Sequence, residues 1–168
     1  KLHRSEVYAA ARIGMLLRYP AQSIVGIDHY IAVMEQELSI RYAEMQKQAI
    51  RKALSQGMLI LTGGPGTGKT TTLNAIIKIL ERKGENVLLA APTGRAAKRM
   101  SDLTGKEAKT IHRLLQVEWD ENDQPTFAKN EKNNLDCDAL VIDELSMVDV
   151  TIFEAVLRAL PLGCRLIL

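Results

Sequence analysis

The chain has 168 residues, 46% of them hydrophobic and 4% aromatic, with 22 Lys and Arg against 20 Asp and Glu and a formal net charge of +2. These values fit one ordinary domain that buries its own core, and they exclude a disordered, collagen-like or disulfide-stapled chain. No apolar run approaches the roughly 18 residues that span a bilayer, and no compact secretory leader opens the chain, so a cytoplasmic location and no membrane partner are expected.

The first forty residues read as a helical lead-in. Val7, Ala10, Ala11, Gly14 and Leu17 can share one helix face, and Ile27, Ile31, Met34 and Leu38 recur at helical spacing. A third helix is predicted from about Ala43 to Gln56. Short apolar runs follow at 58–62, 87–91, 139–143 and 164–168, each a candidate buried strand. Between them, Leu73, Ile76, Ile77 and Leu80 mark a helix over 69–83, and Ile152, Val156 and Leu160 mark another over 149–160. The polar stretch 117–134, with Asp120, Asp123 and Pro125, is expected to be a surface excursion. Such alternation predicts an α/β fold, a parallel sheet flanked by helices. Cys137 and Cys164 stand apart without a CxxC or a Cys/His cluster, so two reduced packing thiols are expected. The chain opens on Lys1 and closes on Leu166, Ile167 and Leu168, which reads as a strand cut short and hence as a piece of a longer protein.

Residues 62–72 read TGGPGTGKTTT, satisfying GxxxxGK[ST] between a predicted strand and an amphipathic helix. Glycines there let main-chain N–H groups wrap a phosphate, and the helix N-terminus adds its dipole. The nucleotide set is therefore Gly63, Gly64, Pro65, Gly66, Thr67, Gly68, Lys69, Thr70 and Thr71. Lys69 would reach the β/γ oxygens of ATP, and Thr70 would place its hydroxyl on Mg²⁺. ALVIDELSMVD at 139–149 ends a strand at Asp143, which would hold the metal through water. Glu144 is the candidate to orient or deprotonate the attacking water, and Asp149 reads as a helix N-cap.

Charge is uneven: residues 91–113 carry +4 and residues 114–150 carry −8. In APTGRAAKRM, Thr93 and Gly94 end a strand, and Arg95, Lys98 and Arg99 occupy the opening turns of a helix; Lys106, Lys109, Thr110, His112 and Arg113 follow. Hydroxyls, N–H groups and cations at a strand end suit the phosphates of a nucleic-acid strand, and a solvated face explains the same residues.

GGPGTGKTTT, APTGRAAKRM, TIHRLL and VIDELSMVD, in this order and spacing, closely resemble motifs I, Ia, the Thr-x-His segment and motif II of the RecD-like helicases of superfamily 1. The resemblance covers about residues 40–168. It implies a P-loop NTPase of RecA-like type: a helical lead-in over 1–40, then the first ATP-binding motor domain over 41–168, truncated at its C-terminus. It further implies a 5′-to-3′ DNA helicase of recombination and repair, in some members the alpha subunit of exodeoxyribonuclease V. Carried over by position, Thr93, Gly94, Arg95 and Lys98 match one DNA-contacting motif, and Thr110 and His112 a second. Gln46 in YAEMQ matches the glutamine that reads the adenine edge, with Gln48 as an alternative register. Single-stranded DNA, a second RecA-like domain of the same protein and nuclease-complex subunits are the partners implied. An AAA+ helicase-loader ATPase and a nucleotide-sensing interaction module are the competing readings.

Overall fold

The structure, a computed structural model, describes residues 1–64 and 66–168. Helices α1 (Leu2–Arg18), α2 (Ile27–Leu38) and α3 (Glu44–Ser55) precede β1 (Met58–Leu59) and α4 (Lys69–Arg82). Then come β2 (Val87–Ala91), α5 (Gly94–Thr104), β3 (Ala108–Thr110) and the short α6 (Ile111–Leu114). A hairpin of β4 (Val117–Trp119) and β5 (Pro125–Phe127) leads to β6 (Ala139–Ile142), a 3₁₀ turn (Leu145–Met147), α7 (Val150–Ala159) and β7 (Arg165–Ile167). Five strands form one sheet in the order β1-β7-β6-β2-β3, every neighbouring pair parallel. The α/β reading of the sequence is thus the observed fold.

Alternation along the central strands assigns the two faces. In β6, Ala139 and Val141 pack with Leu73, Ile76 and Leu80 of α4 and with Ile50 and Leu54 of α3, whereas Leu140 and Ile142 pack with Val156, Leu157 and Leu160 beside α7. A strand buried on both sides reads as a continuous apolar run because successive side chains enter different layers. Helices α2, α3 and α4 therefore lie over one face, and α1, α6 and α7 over the other.

Several sequence expectations need correction. The α1 face bearing Val7, Gly14 and Leu17 is exposed, and the packed face is Ser5, Ala9 and Leu16. Alanine-rich helices offer two weakly apolar stripes, and tertiary packing chose the other one. Strand β1 is two residues long rather than five: Ile60 is 61% exposed, although Leu61 still donates to the Leu168 carbonyl at 2.7 Å. In the run CRLIL, Arg165 is fully buried. Its guanidinium donates to the carbonyls of Ala53, Gln56 and Gln22 at 2.7–2.9 Å, and Glu85 lies 3.9 Å away. Burial lowers the Arg165 pKa from its ordinary value, and Glu85 opposes that shift. The stem is apolar and both terminal nitrogens of the head are hydrogen-bonded, Nε alone being buried without a partner, which is how a cation comes to stand in a core strand. Cys137 and Cys164, distant in sequence, meet with their sulfurs 3.5 Å apart in the core as free thiols.

The region 117–134 is a surface excursion that folds back as the β4–β5 hairpin, with Trp119 64% exposed. Among the described residues no helix is long and apolar enough to cross a membrane.

Candidate functional site

In an all-parallel sheet the C-terminal ends of the strands share one edge, and the chemistry-bearing residues collect there. After β1 the chain turns through Gly66 and Gly68, at φ 75° and 78°, and enters α4 at Lys69. These are left-handed conformations that a side chain would strain. A Cβ on Gly63 would stand 2.5 Å from the Thr67 hydroxyl, which itself donates to the Gly64 carbonyl at 2.8 Å. The loop is thus closed on itself, with Gly63 required by close approach and Gly66 by its positive φ. Gly63, Gly64, Gly66, Thr67, Gly68, Lys69 and Thr70 line a cavity of about 440 Å³ at the amino end of α4. Thr71 faces solvent on the first turn. Pro65 lies outside the described residues.

The acidic segment arrives from two strands away, since β7 separates β1 from β6. Lys69 Nζ nevertheless donates to Asp143 Oδ1 at 2.7 Å, with both side chains about three-quarters buried. Residues 74 positions apart are therefore on one side of the sheet edge, in hydrogen-bond contact. The Glu144 main-chain N–H also donates to Asp143 Oδ1, at 3.0 Å. Glu144 holds φ 56° and ψ 42°, a left-handed conformation uncommon for a non-glycine residue. Asp149 caps α7: its Oδ1 accepts from the N–H groups of Thr151 at 2.8 Å and Ile152 at 3.0 Å, and from the Thr151 hydroxyl. Chiefly through the Thr151 hydroxyl, with the main-chain bonds adding to it, its carboxyl is held below the ordinary carboxylate range.

Gln46 reaches the loop from α3. Its Oε1 accepts from the Ala43 N–H at 2.8 Å and its Nε2 donates to the Gly68 carbonyl at 3.2 Å. One donor and one acceptor site of the amide remain open, which is the complement a purine edge requires. Gln48 is exposed. A Cβ on Gly68 would collide with the Gln46 amide, so the glycine is also what admits this side chain.

A second group occupies the same edge beyond β2. Ala91 pairs in register with Thr110, which sets Thr93 and Thr110 on neighbouring strand ends. Each hydroxyl caps a helix, Thr93 accepting from Ala96 N–H and Thr110 from Arg113 N–H, both at 3.2 Å, and each keeps its O–H to donate. Gly94, Arg95 and Lys98 are exposed beside them, and the half-buried His112 ring lies 6.3 Å from Phe127. Two cations leave the basic group that the sequence suggested. Lys106 pairs with Glu81 at 2.8 Å on α4, and Arg99 lines the phosphate-loop cavity. Helical spacing could not reveal either, because both depend on how α5 docks against α4.

A glycine-lined cavity at a helix amino end, a cation and two acidic residues adjacent in the chain suit a magnesium-bound triphosphate. For the metal, the donors present are the Thr70 hydroxyl and the Asp143 carboxylate, whose bonds to Lys69 and Glu144 both fall on Oδ1. Among the described residues no cluster of three or more metal-ligating side chains occurs. One carboxylate and one hydroxyl fit a Mg²⁺ that arrives with phosphate and keeps several waters, so the residues fit the group.

The family model described as AAA domain matches residues 46–168. The ATP-dependent RecD2 DNA helicase of Deinococcus radiodurans is 34% identical over 165 residues, covering 98% of this chain and 22% of that protein. The RecBCD enzyme subunit RecD of Mycolicibacterium smegmatis is 38% identical over 148 residues, covering 74% of this chain and 26% of the relative. The ATP-dependent DNA helicase dda of Enterobacteria phage T4 is 37% identical over 134 residues, covering 74% and 30%. The chain spans about a quarter of the length of these curated relatives. A match over most of the chain assigns it to the AAA domain family and, within it, to the RecD-like helicases of superfamily 1.

Proposed function

We propose that the chain is the ATP-binding and ATP-hydrolysing motor segment of a DNA helicase that moves 5′ to 3′ on single-stranded DNA in recombination or repair. In this reading residues 41–168 are the motor domain and residues 1–40 its lead-in. A second RecA-like domain of the same protein closes the site from the other side, and nuclease-complex subunits are further partners. The observation that carries the reading is the 2.7 Å contact between Lys69 Nζ and Asp143 Oδ1 at the mouth of the loop cavity, with Glu144 next in the chain.

Each residue then has a task. The amides of residues 63–70 and the α4 dipole hold the phosphates. Lys69 leaves Asp143 for the β/γ oxygens, and Thr70, with Asp143 acting through water, would hold Mg²⁺, which would neutralise charge developing on the phosphates. Glu144 accepts a proton from, or orients, the attacking water. Gln46 reads the adenine with its remaining donor and acceptor. Thr93, Gly94, Arg95, Lys98, Thr110 and His112 receive the DNA backbone, their N–H, O–H and cationic groups being the usual partners of phosphate oxygens. RecD-like relatives named as ATP-dependent DNA helicases support the motor reading over a passive module.

The test is ATP turnover by the intact protein with and without single-stranded DNA. DNA is expected to stimulate turnover, and Glu144→Gln is expected to abolish it by at least about 100-fold while ATP still binds. Turnover unaffected by Glu144→Gln would remove the catalytic assignment, and turnover indifferent to DNA would remove the motor.

A further inference from the structure

We propose that Arg99 is a second cation of the nucleotide site, reaching the terminal phosphate of bound ATP from helix α5 within the same domain; this rests on the nucleotide reading above. Among the described residues, Arg99 is the one outside the 63–70 segment that lines the phosphate-loop cavity. Its side chain is exposed and, among the described residues, has no ion-pair partner. Two neighbouring cations are paired, Arg82 with Glu37 and Lys106 with Glu81. Lys69, the cation of the loop itself, is held by Asp143. Arg99 is therefore the guanidinium already free at the cavity before any ligand enters. Arg95 stands one helical turn earlier on the same stripe, so two like charges face each other without an acid between them.

The order of elements says which phosphate is met. Helix α4 lies between α3 and α5, so Gln46 approaches the loop from one flank and Arg99 from the other. With the base at Gln46, the phosphate chain runs toward α5, and its far end is the terminal group. A planar guanidinium can take two oxygens of that group at once, which an ammonium cannot.

Helix α5 then serves two ligands. Thr93, Gly94, Arg95 and Lys98 occupy its amino end and open edge, and Lys98 and Arg99 point about 100° apart around the helix. One rigid element of 11 residues would carry a DNA contact and a nucleotide contact on adjacent side chains. A change in the terminal phosphate would be felt directly by a helix that grips DNA, with no relay between domains.

Calorimetric titration of the intact protein with ATP and separately with ADP, in the presence of Mg²⁺, tests this. Arg99→Ala is expected to weaken ATP about tenfold and ADP less than about twofold, with Arg99→Lys between wild type and Ala. Affinity for an oligo-dT strand without nucleotide reports whether α5 is intact. ATP affinity unchanged by Arg99→Ala would overturn the proposal. So would an equal loss for ATP, ADP and oligo-dT, which would mark Arg99 as a structural residue. Failure of the wild-type protein to bind ATP at all, or its indifference to Lys69→Ala, would instead sink the nucleotide reading beneath it.

Discussion

Glu144 is the residue at which backbone and chemistry conflict. Its φ of 56° is left-handed, and for a side chain with a Cβ that conformation costs about 1–2 kcal/mol. The conformation directs its N–H to Asp143 Oδ1 and starts the 3₁₀ turn, so the strain is held by the site it builds. Replacing Glu144 by Gly and by Gln removes the carboxylate in both cases, and only Gly relaxes the backbone. Glu144→Gly is expected to unfold at higher denaturant than Glu144→Gln, by roughly 0.5 kcal/mol after the extra chain entropy of glycine is counted. Equal midpoints would mean that no strain is stored there. The sequence Asp-Glu-Leu-Ser carries no Gly or Asn to announce a left-handed residue, so this feature was not legible. The loop and its acid were, because a Gly-rich stretch before Lys-Thr and an apolar strand ending in Asp-Glu each state a backbone requirement. The resemblance favours Gln46 over Gln48, whereas the Gln46 bond to the Gly68 carbonyl was not legible, since it turns on which face of α3 meets the loop.

Element boundaries were legible where one pattern dominated. The run 87–91 is β2 residue for residue, and α3, α4 and α7 fall within one residue or so of their predicted ends, because apolar periodicity and caps agree there. Strand β1 was read too long and the packed face of α1 wrongly, because apolar residues at both places are answered by neighbours that periodicity cannot name. The cap of α7 has a measurable consequence. The Asp149 carboxyl is held below its ordinary value in the folded chain, so its contribution is present above the unfolded value near pH 4 and is lost as pH falls through the folded one. Asp149→Ala is expected to lower stability by about 1 kcal/mol at pH 7, and the gap to wild type should close on acidification toward pH 2. Asp149→Asn keeps an acceptor for the two N–H groups, so it should lose less at pH 7 and show a flatter acid slope. Chemical denaturation at several pH values reads both, and a gap independent of pH would deny the carboxylate its role.

At the scale of the molecule, the lead-in and the sheet share their cores. Ala9 and Leu16 of α1 pack in the cluster that holds Leu140, Val156 and Leu160, and Ile31 and Met34 of α2 pack in the cluster of α3 and α4. Arg12 donates to the Leu160 carbonyl at 2.7 Å, and the Arg158 guanidinium lies 3.8 Å from the centre of the Tyr8 ring, a cation–π contact. The end of α1 presses on the start of β1 so closely that a Cβ on Gly57 would stand 2.8 Å from the Pro20 Cα. Gln22 takes a bond from the buried Arg165 in the same region. These contacts lie at the amino ends of the strands, opposite the edge that holds the phosphate loop. The first helix therefore braces the sheet at the strand ends away from the phosphate loop. Leu16→Ala should cost about 2–4 kcal/mol, since a nearly fully buried leucine leaves a cavity on removal. If the two parts fold as one unit, the loss will appear in hydrogen exchange of α7 and β7 as much as in α1, while ATP affinity at low temperature stays near wild type. Faster exchange confined to residues 1–18 would mean instead that α1 frays alone and that the lead-in is a separate unit resting on the motor.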